Sequence, residues 1–303
     1  MKKFESTFTN RLDSPPIKRL LVAGQLMISV ACLYFVFQKV AQTPFVDFAH
    51  WVSGNILWVL ILVTVLMAVN WALEALRWQL SVPEESLTFW NALQIILRGQ
   101  ALNWVLPFTS GDVGSRLISS KDPKSATVAL MLNRMIILAI TVGYGAVGVV
   151  SFFGVGSQLW GLLAVGAALV GSILWIAFKP NLLGTSISDF NFERLGRISL
   201  ITLLRYGVFT FQFYIVISAF NPTLETTLIF LGIGWIFVFK SFIPAVLGNL
   251  GVREASAVLF FESYVPDIQL IIWPCTLIWL INIVIPSIIG AIPFNNFQRK
   301  LAA

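Results

Sequence analysis

Six long apolar runs constrain this chain more than any other feature. They lie at about 20–38, 55–76, 125–153, 158–178, 198–219 and 267–292. Each is long enough to cross a hydrocarbon layer of ~30 Å as a helix. They exceed the ~10 residues of a barrel strand and lack its two-residue alternation, so helices are expected. The residues are 57% hydrophobic and 11% charged, and a soluble core of that composition would need many helices with almost no polar face. The sequence therefore predicts an all-α integral membrane protein.

Two further apolar segments, 88–106 and 224–243, each run into a related break. Residues 107–116 read PFTSGDVGSR and residues 244–253 read PAVLGNLGVR, at a constant offset of 137 residues. Pro107 aligns with Pro244, Gly111 with Gly248, Gly114 with Gly251 and Arg116 with Arg253. The match is short, but the same order of elements surrounds both copies, which marks an internal repeat. Proline ends a helix by removing an N–H and crowding the preceding turn. The glycines are expected to supply positive φ and close backbone approach. A short helix should follow each turn, its free N–H groups attracting anions, with Arg116 and Arg253 about one turn in.

Charge sets the expected topology. Lys2, Lys3, Arg11, Lys18 and Arg19 precede the first run, which points to a cytoplasmic N-terminus. That run lacks a small-residue cleavage pattern and is expected to be retained. If both breaks are re-entrant hairpins, the basic segments 1–19, 77–78, 116–124, 179–197 and 299–300 all fall inside. If 88–106 and 224–243 crossed fully, two of those segments would face outside, against the positive-inside tendency. Six transmembrane helices plus two re-entrant hairpins in an inverted repeat are therefore expected, with N- and C-termini in the cytoplasm. The organisation is a basic tail (1–19), one transmembrane domain (20–295) and a C-terminal tail (296–303). Within the domain, repeat 1 covers about 55–153, a linking helix 158–178 and repeat 2 about 192–292. An interfacial helix is expected near Ile187, Phe190 and Leu195. The expected location is the cytoplasmic (inner) membrane of a prokaryote.

Ionisable groups at membrane depth cost ~2.5–3.5 kcal/mol each on insertion scales, so they are functional candidates. The cations are Arg98, Arg116, Arg134, Arg205, Lys240 and Arg253; the anions are Glu74, Asp112 and Glu254. Cations outnumber anions, and arginine suits bidentate contact with phosphate. The plainer alternative is structural: Glu74 pairs with Arg77, Asp112 with Arg116 and Arg253 with Glu254, simply knitting the fold. Gln25, Asn133, Gln212 and Asn282 read as interhelical hydrogen-bonding residues. His50 is the only histidine and falls in a loop, which excludes Ser-His catalysis and histidine metal sites within the membrane. Cys32 and Cys275 lie inside apolar runs without a C-x-x-C motif. No cofactor, metal or nucleic-acid partner is expected.

The stretch PAVLGNLGVRE at 244–254 resembles the transmembrane, flippase-like region of lysylphosphatidylglycerol synthases and their stand-alone relatives. The pattern P-x3-G-G-[LI]-G-x-R-E maps onto Pro244, Gly248, Leu250, Gly251, Arg253 and Glu254. Asn249 replaces the second glycine and, as asparagine, tolerates a left-handed conformation. Asn103, Pro107, Gly111, Asp112 and Arg116 resemble an earlier family motif, with the arginine one residue further on. The resemblance covers about 15–295. It implies movement of an anionic or zwitterionic lipid across the bilayer: an aminoacyl-phospholipid, or a lipid-linked sugar or polyprenyl phosphate. Substrate contacts are expected from Arg98, Asn103, Asp112, Arg116, Arg134, Lys240, Arg253 and Glu254, with Arg253 foremost. With some ten residues after the last span, synthase activity is not expected, and the protein is read as a non-enzyme. Two alternatives stay open. One is a membrane-embedded enzyme on a lipid-linked phosphate, with Asp112 or Glu254 as acid or base. The other is an accessory subunit of a partner synthase or glycosyltransferase.

Overall fold

The computed structural model describes residues 15–42, 54–104, 106, 109–153, 181–182, 185–186, 192–243 and 247–292. The expected linking helix 158–178, both prolines Pro107 and Pro244, and His50 lie outside these residues. Apart from a two-residue antiparallel pairing of Asn181–Leu182 with Thr185–Ser186, the regular structure is helical. The helices are α1 (Pro15–Ala41), α2 (Gly54–Ser81), α3 (Phe89–Leu102), α4 (Ser110–Ile118), α5 (Pro123–Phe152), α6 (Phe192–Phe220), α7 (Thr226–Phe242), α8 (Val252–Phe261), α9 (Gln269–Trp279) and α10 (Ile285–Ala291). Among the described residues, five segments are long and apolar enough to cross a membrane: Val22–Ala41, Ile56–Ser81, Pro123–Phe152, Glu193–Phe220 and Gln269–Ala291. The outer face of α2 shows why. Leu57, Trp58, Ile61, Leu62 and Val65 are exposed, as lipid-facing residues are, while Val63 and Met67 turn into the core.

Local chemistry sets the element ends. Asp122 caps α5, accepting from the Lys124 N–H at 3.1 Å, and hydrogen bonds, chiefly from Ser125, hold its carboxyl below the usual range. Pro83 opens a 3-10 turn, Pro83–Glu85, after α2. The buried Glu85 accepts from the Ser120 hydroxyl and the Lys121 N–H, tying that turn to the end of α4. Arg194 donates to the carbonyls of Leu80 and Ser81, both at 2.6 Å, and so satisfies the C-terminus of α2. Leu195 belongs to the first turns of the continuous α6 rather than to a separate interfacial helix; Ile187 and Phe190 lie outside the described residues.

The last span contains two prolines, and each leaves a visible mark. Pro274 cannot donate to the Leu270 carbonyl, which instead accepts from Asn221 Nδ2 at 2.8 Å. Pro286 likewise deprives Asn282, and the chain widens into a π-turn over Leu280–Val284 before α10.

Helix packing is reciprocal between the halves. α2 lies along α6, α5 along α7, and α10 along α3. The span after each break thus packs on the helix before the other break. Glycines allow both close crossings. A Cβ on Gly145 or Gly148 would collide with Val238 or with the α7 backbone at Leu231, and one on Gly290 would collide with the Leu97 carbonyl. An aromatic cluster fills the space between α5, α6 and α7: Tyr206 meets Phe237 at 5.1 Å and Phe213 meets it at 5.5 Å, ring centre to ring centre. Gln212 on α6 donates to the Val63 carbonyl of α2 (2.8 Å) and Asn133 on α5 to the Ser81 hydroxyl of α2 (2.9 Å), the interhelical role the sequence predicts. Asn282 instead bonds within its own helix, to the Ile278 carbonyl.

Gly148→Leu and Gly290→Leu should each destabilise the protein by about 1–3 kcal/mol through overpacking. Gly207→Ala, where a Cβ meets nothing within 4 Å, should stay within about 0.5 kcal/mol of the parent. Unfolding of the detergent-solubilised variants measures both.

Candidate functional site

The charged residues of α2 repeat at helical spacing: Asn70, Glu74 and Arg77 share one face of a span that is otherwise apolar. Burial at that face forces each to find a partner. Glu74 is only 3% exposed and gathers three guanidinium groups. Arg77 Nη2 lies 2.7 Å from Oε2, Arg116 Nη2 lies 2.6 Å from Oε1, and Arg205 Nη1 donates to Oε2. Arg205 is fixed from its other side by donating Nε to Asn70 Oδ1 at 3.1 Å. Arg116 also donates Nε to Asp112 Oδ1 at 2.9 Å and stacks over the Trp78 ring at 4.8 Å. One carboxylate therefore joins α2, α4 and α6.

These groups line a cavity of about 590 Å³ between α2, α3, α4, α5, α6 and α7. Gln100 near the end of α3 and Asn103 and Thr109 beyond it reach it beside the first break, and Ser241 from the end of α7 beside the second. Arg134 lines it from α5, is exposed, and donates Nη2 to Thr109 Oγ1 at 2.8 Å. Four arginines (Arg77, Arg116, Arg134, Arg205) face two carboxylates (Glu74, Asp112), so the described lining carries two positive charges in excess.

The breaks are not copies in conformation. In the first, Thr109 takes the left-handed conformation (φ 56°), while Gly111 and Gly114 sit inside α4. Gly111 is needed for close approach instead: its Cβ would strike the backbone at Leu102 and Asn103. Helix α4 starts before Asp112, and Arg116 falls in its last turn. In the second break, Leu247 (φ 53°), Gly248 (φ 66°), Asn249 (φ 62°) and Gly251 (φ 89°) all have positive φ, and Arg253 is the second residue of α8. The helix N-termini are occupied by the protein's own groups. Asn103 Oδ1 accepts from the Asp112 N–H at 3.0 Å, and Glu254 Oε2 accepts from the Gly251 N–H at 2.7 Å. At each of those ends one N–H is thus already satisfied within the protein, and the surplus positive charge of the cavity resides in side chains.

The sequence-predicted residues separate accordingly. Asn103, Asp112, Arg116 and Arg134 come together at the cavity. Arg98, Lys240, Arg253 and Glu254 do not line it. Arg98 lies on α3 where α10 crosses. Lys240 Nζ sits over the Phe209 and Phe237 rings at 4.3 and 4.2 Å. Arg253 is buried and donates to the Gly248 carbonyl at 3.0 Å and the Cys275 carbonyl at 3.4 Å, holding the second break against α9. Among the described residues it forms no ion pair, with Glu254 or any other. The Glu74–Arg77 and Asp112–Arg116 pairs form as predicted. Glu74, Arg77 and Arg205 are the charged cavity residues absent from the predicted contacts. The signal for Glu74 and Arg77 was the Asn70, Glu74, Arg77 spacing in α2; Arg205, on α6, had none beyond its burial as a cation.

A family model described as the lysylphosphatidylglycerol synthase TM region matches residues 22–290, including both breaks. No curated protein matches the chain.

Glu74→Ala would remove the shared carboxylate of three guanidiniums and leave buried Arg77 without an ion-pair partner among the described residues, so it should destabilise the protein by about 3–5 kcal/mol, the range for breaking a buried pair. Arg134→Ala, at an exposed position, should change stability by no more than about 0.5 kcal/mol. Chemical denaturation in detergent distinguishes the two.

Proposed function

The chain belongs to the lysylphosphatidylglycerol synthase transmembrane family, and on that premise we propose that it is a lipid transporter that takes a phosphate-bearing headgroup into the arginine-lined cavity. The observation that carries this reading is the cavity's surplus of guanidinium over carboxylate among apolar helices. Burying charge is costly unless it is paired, and a lipid phosphate offsets the surplus with acceptor oxygens that match guanidinium geometry. The ligand class is an anionic or zwitterionic lipid, an aminoacyl-phospholipid or a lipid-linked sugar or polyprenyl phosphate. Arg116 and Arg134 contact the phosphate, while Glu74 and Asp112 hold the arginines apart and aligned.

The chemistry favours binding over catalysis. A guanidinium stays protonated and cannot serve as acid or base, so four of them hold an anion rather than transform it. In this reading α3–α4 and α7–α8 are re-entrant hairpins, inverted by the spans between them, within a six-crossing domain whose basic segments face the cytoplasm. Movement of one repeat against the other along the glycine-lined crossings exposes the cavity to alternate sides. The setting is the inner membrane of a prokaryote, and a synthase or glycosyltransferase that makes the lipid is the expected partner.

The test is transfer of a fluorescent phospholipid across proteoliposomes, read by chemical quenching of the outer leaflet. The parent protein should accelerate transfer over protein-free vesicles. Arg134→Ala should lower the rate at least about tenfold, the loss of ~1.4 kcal/mol of binding, while remaining folded. Equal rates for parent, variant and empty vesicles would overturn the reading.

A further inference from the structure

The donors and acceptors lining the cavity are out of balance, and the imbalance narrows what can occupy it. Glu74 is already shared by three guanidiniums. Asp112 is held by Arg116 Nε, and its side chain is 25% exposed. An amine reaching that exposed edge would lie beside Arg116, whose charge Asp112 already offsets, in a cavity that Arg134 also lines. Like charges brought together in this way are penalised, which excludes partners as effectively as attraction selects them. On the donor side there is a surplus. Arg77 is 3% exposed, and its Nε and Nη1 have no hydrogen-bond partner among the described residues. A guanidinium has five N–H donors, and leaving the three on Nε and Nη1 buried and unmet is costly. Arg134 spends one Nη on Thr109 and is otherwise open to the cavity.

We propose that the cavity selects a doubly charged phosphate group, a phosphomonoester or a diphosphate, and discriminates against headgroups that carry an amine. This rests on the transporter reading above and sharpens it. Two negative charges match the two positive charges left over by the lining. A phosphodiester would leave one of them unmatched, and an aminoacylated headgroup would add another. The phosphate oxygens accept from Arg134 at the open side and draw Arg77 into contact from the sealed side, so both arginines contribute to selection.

The test uses purified full-length protein in nanodiscs doped in turn with phosphatidic acid, phosphatidylethanolamine or lysylphosphatidylglycerol at equal mole fraction. Native mass spectrometry reads the lipid retained after detergent washing. Retention of phosphatidic acid at least about tenfold above either amine-bearing lipid is expected, equivalent to ~1.4 kcal/mol of selectivity. Arg134→Gln should cut that preference to within about twofold, because one of the two selecting charges is gone. Arg77→Gln should do the same where it folds, and Arg134→Gln decides the matter where it does not. Equal or greater retention of either amine-bearing lipid overturns the proposal, as does a preference undiminished in Arg134→Gln. Inorganic phosphate and pyrophosphate form a further arm. If they displace phosphatidic acid at equal concentration, the doubly charged group is supported but the lipid source is overturned. Selective retention without lipid transfer in proteoliposomes would likewise keep this proposal and remove transport.

Discussion

The buried carboxylate of Glu74 is the constraint on which the rest of this structure depends. It sits on α2, yet it receives arginines from α2, α4 and α6, so one side chain fixes how the first break docks against the two long spans. Isolated charges in such surroundings cost several kcal/mol each, and only a geometry that shares them is tolerable. That cost explains why the neighbouring polar groups are also spoken for. Asn70 takes Arg205, Asp112 takes Arg116, and the Trp78 ring covers the Arg116 guanidinium. Glu74 and Asp112 together cannot neutralise Arg77, Arg116 and Arg205, and the remainder joins Arg134 in the surplus positive charge of the cavity.

The two halves use one architecture for different ends. Their helices exchange partners reciprocally, with glycines permitting α5 to meet α7 and α10 to meet α3. The breaks have diverged within that frame. The first presents Asn103, Thr109, Asp112 and Arg116 to the cavity. The second is a run of positive-φ residues locked to the bundle, with Arg253 on two backbone carbonyls and Trp279 Nε1 donating to the Leu247 carbonyl at 2.9 Å. The breaks remain connected. Trp104, just past α3, donates to the Ser287 hydroxyl at 2.8 Å and lies 5.8 Å from the Trp279 ring. The π-turn forced by Pro286 lies between those two contacts, so the widened helix bridges the breaks.

Particular residues show how far the sequence could be read. Glu74 with Arg77 and Asp112 with Arg116 were legible because each pair is three or four residues apart on one helix, where side chains must meet. The left-handed Asn249 was legible because few residues tolerate that conformation. Arg205 was legible as a buried cation but not as a partner of Glu74, because 131 positions separate them. The roles of Arg116 and Arg253 could not be ranked. Motif similarity aligns them, but the first is buried against carboxylates and the second against carbonyls.

Residue order alone decided that this chain inhabits a membrane, that its long apolar runs at 20–38, 55–76, 125–153, 198–219 and 267–292 are helical, and to which family it belongs. Those properties follow from run length, composition and local backbone preference, all of which act within a few turns of chain. Tertiary structure alone decided where the surplus charge gathers. The cavity is assembled from six helices, and whether an arginine faces a carboxylate, a carbonyl or open space depends on how distant segments cross. Those crossings are set by where glycine lets backbones touch and by which buried charges can share a partner.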